Sequence, residues 1–212
     1  MLFLLFGSSA AGKTYLLGEL RARSLDRLAM HDFDELDVPQ NADTAWRQRA
    51  NELWIERALE YQRQGIDLLL AGQTPFGELL TSPSAPRLEA ISACLLDCSD
   101  EVRLERLGAR GSAWLERVPG DLEDYLRWAG WMRQHASDPQ FMTHVIRHKA
   151  SPDEMRWDRW SDWEPRDPRW RVTVIDTSVH PVARLADDIV TWIETEREVL
   201  ESGRHPLSKW AK

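Results

Sequence analysis

Leu2-Phe3-Leu4-Leu5-Phe6-Gly7-Ser8-Ser9-Ala10-Ala11-Gly12-Lys13-Thr14 is the stretch on which the fold turns. Its first five residues are apolar without alternation, the pattern of a strand covered on both faces within a parallel sheet. The next eight fit G-x-x-x-x-G-K-[ST], in which each fixed position has a physical task. The glycines let the backbone wrap an anion so that successive N–H groups point inward, and a helix opening near Lys13 adds its dipole there. Lys13 supplies a positive charge for the β- and γ-phosphates, and the Thr14 hydroxyl is placed to ligate Mg²⁺. The loop from Gly7 to Thr14 therefore implies ATP and Mg²⁺ as cofactors.

Working outward, the sequence predicts a helix from Lys13 to about Arg23 and a short strand from Arg27 to His31. A long helix follows from Asp43 or Thr44 to Gln64, within a helical segment, 41–65, expected on the substrate side. Ile66 to Ala71 is a third apolar run, and Gly72-Gln73-Thr74-Pro75-Phe76-Gly77 marks a turn. Leu80 to Pro86, rich in Ser and Pro, reads as surface. Ser92 to Cys98 is a fourth strand, Asp100 to Ala109 a helix capped by Ser99 or Asp100, Val172 to Ile175 a fifth strand, and Pro181 to about Leu200 a closing amphipathic helix. Strand and helix alternate, which makes the chain α/β, a parallel sheet with right-handed crossovers in a single domain, 1–212.

Three further features bear on what happens to a bound phosphate. Asp32 and Asp34 stand at the carboxyl end of the second strand, where ligands collect in open α/β sheets. Two apart in an extended segment, they face the same side, one near Mg²⁺ and the other near an incoming hydroxyl whose proton it accepts. An acidic loop merely solvated at a strand end is the competing reading. Arg106 and Arg110, four apart, share a helix face and could close on the triphosphate, with Arg103 and Arg117 as neighbours; a surface pattern with Glu105 and Asp100 is the alternative. Gln73, beside small residues that permit close backbone approach, could hydrogen-bond a substrate.

These residues resemble the nucleoside-monophosphate-kinase-like P-loop phosphotransferases, a group that includes shikimate kinase, gluconate kinase and chloramphenicol phosphotransferase. The loop from Gly7 to Thr14 looks like that of the antibiotic phosphotransferase, and Asp32-Phe33-Asp34 is similar to the Asp-x-Asp of shikimate kinase. The resemblance covers Met1 to Arg110 and the closing strand and helix from Val172. It implies strand order 2-3-1-4-5 and roles for Asp32 and Asp34 on Mg²⁺ and the acceptor. It also implies a mobile lid carrying Arg106 and Arg110, and adenine near Ile175-Asp176-Thr177.

Between Gly111 and Arg171 the pattern changes, with seven of the eleven Trp amid Arg, Asp and Pro. This segment, 111–170, reads as a lid or cap insertion with one clear helix from Leu122 to about Gln134. Its tryptophans either form an aromatic mini-core of their own or stack on a planar acceptor. Arg127 and Arg133, about two turns apart on that helix, are the candidates for anionic contacts. His144 and His148 have the spacing of a metal pair but no third ligand nearby. Asp97 and Asp176 each follow an apolar strand and could imitate an acid that holds Mg²⁺ through water.

A net charge of -8 makes duplex nucleic acid a poor partner, since phosphate-backbone recognition needs clustered Lys and Arg. Cys94 and Cys98, roughly 13 Å apart along an expected strand, are read as reduced thiols. The apolar opening lacks the basic n-region of a signal peptide and no run is long enough to span a bilayer, so a cytoplasmic protein is expected. The reading reached is an ATP-dependent kinase acting on a hydroxyl or phosphate of a small acceptor, a nucleoside or nucleotide, a sugar or an antibiotic-like molecule. A nucleotide-hydrolysing switch and a polynucleotide 5′-kinase are the alternatives. Neither acceptor nor oligomeric state follows from the sequence.

Overall fold

The computed structural model describes residues 1–111 and 121–208. Five strands, β1 Leu2–Phe6, β2 Leu28–Asp32, β3 Asp67–Gly72, β4 Ile91–Asp97 and β5 Val172–Asp176, form one sheet in the order β2-β3-β1-β4-β5. Every pairing is parallel, with Leu4 of β1 opposite Leu70 of β3 and Ala93 of β4. The helices are α1 Lys13–Ala22, α2 Thr44–Arg63, α3 Phe76–Leu80, α4 Asp100–Gly108, α5 Leu122–Ser137 and α6 Val182–Glu201. Asp43 caps α2, its Oδ1 accepting from Trp46 N at 2.7 Å, and Ser99 caps α4 by accepting from Val102 N.

The period of two explains why β1 is apolar throughout. Leu2, Leu4 and Phe6 pack on one side of the sheet with Trp54 and Ile55 of α2 and with α3, whereas Phe3 and Leu5 face Leu16, Leu17 and Leu20 of α1 and Leu185, Ile189 and Trp192 of α6. All the loops that gather near Lys13 thus leave one edge of a sheet fixed by burial on both faces. Among the described residues no helix is long and apolar enough to cross a membrane.

Two expectations are corrected on the α2 side. Leu80 to Pro86 is not mainly surface: Leu80, Thr81, Ser82 and Ala85 are fully buried, and Pro83 is left exposed. The reason lies about seventy-five residues further on. Arg159 donates to the carbonyls of Leu80, Ser82 and Pro83 at 2.9, 2.5 and 2.9 Å, and Arg156 N donates to Thr81 O at 2.8 Å, so backbone groups that would otherwise need water are satisfied from the Trp-rich segment.

Nor do the described tryptophans of 111–170 make a separate mini-core. Trp131, Trp160, Trp163 and Trp170 are buried in the same cluster as Leu2, Leu4 and Phe6. Trp170 lies 5.1 Å from the Phe76 ring and 5.3 Å from Trp160, and Trp160 Nε1 donates to Gly77 O at 2.9 Å. Gly77 is the contact point: a Cβ there would sit 2.8 Å from His135 Nε2 and from the Trp170 ring. Gly77→Val is therefore expected to destabilise the protein by on the order of 3 kcal/mol through overpacking, read as a lowered urea midpoint at unchanged m-value.

Candidate functional site

The loop after β1 owes its shape to its carbonyl groups. Lys13 Nζ donates to Gly7 O at 2.7 Å and to Ser8 O at 3.0 Å. Arg103 Nη1 donates to Ser9 O at 2.5 Å, Arg106 Nη1 to Ala10 O at 3.2 Å, and Thr177 Oγ1 to Ala11 O at 3.1 Å. Five successive carbonyls are thus taken by the protein itself. With the oxygens pinned behind, and with Gly12 at φ +91° turning the chain into α1, the N–H groups are left to face the cleft. No backbone acceptor among the described residues takes the N–H of Ser9, Ala10 or Gly12.

That cleft has a volume of about 510 Å³ and is lined by loop residues Ser9, Ala10, Gly12, Lys13 and Thr14. Asp32, Asp34, Gly72 and Gln73 line it at one end, and Arg106, Arg110, Thr177, His180, Val182 and Leu185 at the other. Burial holds the Lys13 ammonium down at about 8, Asp32 and Asp34 pulling it up and Arg103 and Arg110 pushing it further down. The ammonium is the form that meets phosphate, so ATP affinity is expected to fall as pH rises through about 8, approaching roughly tenfold per unit until the pKa of the bound form is reached. Titration calorimetry in two buffers of different ionisation enthalpy should show proton uptake on binding above pH 8; its absence would remove Lys13 from the site.

Asp32 and Asp34 come together by a turn, not along an extended segment. Asp32 ends β2 and accepts from Asp34 N at 3.1 Å, while Glu35 Oε1 accepts from Asp32 N at 3.1 Å, a reciprocal capping box over Phe33–Glu35. Glu35 is itself held by Arg21 and His31, each at 2.5 Å. Burial alone would raise its carboxyl, but hydrogen bonds from His31, Asp32 N and Arg21 outweigh it and bring the value to about 2. Asp34 is pushed the other way, upward, by its own burial and then by the charge of Asp32, with Lys13 opposing.

The turn's middle residue, Phe33, lies against Gly72, where a Cβ would come within 2.7 Å of Phe33 Cβ. The missing side chain at Gly72 makes room for Phe33 rather than for a substrate.

The structure does not bring three of the expected residues to this cleft. Asp176 accepts from Ser178 N and, with Arg133, lines a separate hollow beside Asp97. Arg127 is exposed and paired with Glu123 and Asp124 on its own helix. Arg133 is drawn to Asp97 and Asp100. Asp97 is not turned toward the loop's anion site, because Arg103 and Arg133 occupy its two oxygens. Arg106 does line the cleft, yet it is tied to Thr177 as well as to Ala10, bracing the loop against the end of β5. Arg117 lies outside the described residues.

Sequence reasoning gave Arg103 no role, although it lies three residues before Arg106 on the helix and so near the same face. Its side chain is fully buried. On α2, Arg47 forks onto the fully buried Glu78 at 2.7 to 3.3 Å, and Thr74 Oγ1 donates to Asn51 Oδ1 beside it. Elsewhere Ser92, His205 and Glu196 meet within 3.4 Å, a grouping with the residue types of a hydrolytic triad. It cannot activate a serine, since His205 Nδ1 accepts from Leu207 N and the proton is therefore on Nε2, facing Ser92.

No family model matches the sequence, and no curated protein matches it. Solved structures do. A sugar kinase from Janibacter sp. is similar at TM-score 0.56 and 16% identity, over 93% of this chain and 96% of its own. A gluconokinase from Sinorhizobium meliloti 1021 gives 0.54 and 15%, over 96% and 97%. The chain has the fold of these small-molecule kinases. The tunicamycin resistance protein of Deinococcus radiodurans shares it too, at TM-score 0.50 and 15% identity over 91% of this chain and 95% of that one.

Proposed function

We propose that this protein is an ATP-dependent kinase that transfers the γ-phosphate to a hydroxyl of a small acceptor held near Asp34 and Gln73. One observation carries the reading: the anion-binding loop with Lys13 and the paired acids Asp32 and Asp34 line a single cleft. The fold shared with kinases, among them a sugar kinase and a gluconokinase, supports it.

In this reading the loop N–H groups and Lys13 cradle the triphosphate, and the adenosine end lies toward Thr177, His180, Val182 and Leu185. The Thr14 hydroxyl and an Asp32 carboxylate oxygen are hard oxygen donors of the kind Mg²⁺ takes, and they would hold it. Bound there, the ion neutralises phosphate charge. Asp34 accepts the proton of the acceptor hydroxyl as its oxygen forms a bond to the γ-phosphorus and the bond to the β-phosphate oxygen breaks. Lys13, Arg106 and Arg110 offset charge that develops on the transferring group and on the leaving ADP. Raising the Asp34 carboxyl above its ordinary value, as its burial and Asp32 do, strengthens it as a base. The acceptor is a nucleoside or nucleotide, a sugar or an antibiotic-like alcohol.

The test is ADP release from Mg-ATP across a panel of these acceptors, with the phosphorylated product identified by mass. ADP release dependent on one acceptor class is expected. Release at the same rate without any acceptor would replace the kinase by a nucleotide hydrolase.

A further inference from the structure

Arg103 and Arg133 come from two parts of the chain and meet on one carboxylate. Asp97, the last residue of β4, receives Arg103 Nη2 on Oδ1 at 2.7 Å and Arg133 Nε on Oδ2 at 2.5 Å. Arg103 uses its other end group on the phosphate loop, donating from Nη1 to Ser8 Oγ at 2.6 Å and Ser9 O at 2.5 Å. Its Nε, also buried, has no hydrogen-bond partner among the described residues.

A guanidinium with no exposed surface whose other acceptors are a hydroxyl and a peptide carbonyl has Asp97 as the charge that balances it. Buried charge without a counter-ion is costly, so the position of Arg103 follows that of Asp97. Asp97 in turn is 15% exposed and is held from the solvent side by Arg133. Arg133 sits on α5, whose other face, through Ala129, Met132 and Ala136, is set in the buried core.

We propose that Arg133 of the inserted helix acts through Asp97 and Arg103 as a positioning residue for the phosphate loop, so that docking of α5 sets nucleotide affinity. The inference rests on the nucleotide-binding part of the reading above and not on transfer to an acceptor. With Arg133 gone, Asp97 keeps only Arg103 and can tilt toward water, so its hold on Arg103 and the Ser8 and Ser9 anchors loosens. The loop then spends less time with its N–H groups aimed at phosphate. Coupling of this kind is reciprocal, so bound nucleotide strengthens the docking of α5.

The experiment measures dissociation constants of Mg-ATP and ADP directly, by calorimetry on the full chain well below its melting temperature. Arg133→Met should weaken both by about five- to tenfold, the low end of ordinary site-to-site coupling, and raise KM for ATP while leaving kcat at saturating ATP unchanged. Arg133→Lys, which keeps a cation for Asp97, should recover most of the loss. In an Asp97→Asn background the Arg133→Met effect should vanish, because the carboxylate through which it acts is gone. Unchanged dissociation constants in Arg133→Met, or losses that simply add in the double variant, would overturn the proposal. Should Asp97→Asn fail to fold, amide exchange in Arg133→Met decides: faster exchange across residues 8–12 supports the relay, and unchanged exchange overturns it. Wild-type protein that binds neither nucleotide would instead sink the phosphate-loop reading, and the relay with it.

Discussion

Lys13→Met is expected to weaken Mg-ATP binding by up to about a hundredfold and to remove the part of the protein's stability that rises with pH between about 8 and 10.5. The first effect follows from the loss of a positive charge at the base of the cleft, where charge-assisted hydrogen bonds contribute up to about 3 kcal/mol, or roughly two decades in affinity. The second follows from the direction in which the fold moves this group. Between about 8 and its ordinary value of 10.5 the unfolded chain binds more protons at Lys13 than the folded one. The cost of charging Lys13 in the folded state is therefore fully present at pH 7 and is relieved only as pH rises through that window. Methionine does not titrate there, so the variant lacks this rise of stability with pH, whatever it loses with the hydrogen bonds to Gly7 O and Ser8 O. Calorimetric titration, and thermal melts of wild type and variant on both sides of that pH window, test the pair; an affinity within threefold of wild type would take Lys13 out of the site.

Asp34→Asn is expected to lower kcat by about 10²- to 10⁴-fold, the usual contribution of a positioned base, with the Mg-ATP dissociation constant within a few-fold of wild type. In the wild-type protein the rate should fall on the acid side as Asp34 becomes protonated, at a pH above the ordinary aspartate value because burial and Asp32 raise its pKa. The variant should lose that limb. Since the backbone N–H of Asp34, not its carboxylate, closes the turn with Asp32, the substitution leaves the local fold in place. A kcat within threefold of wild type would reassign the base.

The strands and the phosphate loop were legible because their signals are local. An unbroken apolar run declares a strand buried on both faces, and the spacing of Gly7, Gly12, Lys13 and Thr14 declares a loop whose chemistry is done largely by its own backbone. The turn at Asp32 was legible as well: Asp32 followed three residues later by Glu35 is a capping-box pattern, and reading it would have replaced the extended geometry assumed for Asp34. What escaped depends on partners distant in sequence. Nothing near Ser82 and Ser84 announces that Arg159 will satisfy the carbonyls around them. Nothing on α5 distinguishes Arg127, which stays with its own helix, from Arg133, which crosses to Asp97. The tryptophan content announced an aromatic layer but not that β1 and α3 would form its floor.

That floor limits how the protein can move and diversify. Trp160, Trp163 and Trp170 complete the layer that covers Leu2, Leu4 and Phe6, so the stretch bearing them is a wall of the molecule. Any closure over the nucleotide has to come from parts of the chain outside that wall. The stretch also cannot be exchanged as a cassette: replacing it by a short connection would strip the sheet of its cover. In the proposed reading, a change of acceptor would come through single side chains around Gln73 and Asp34.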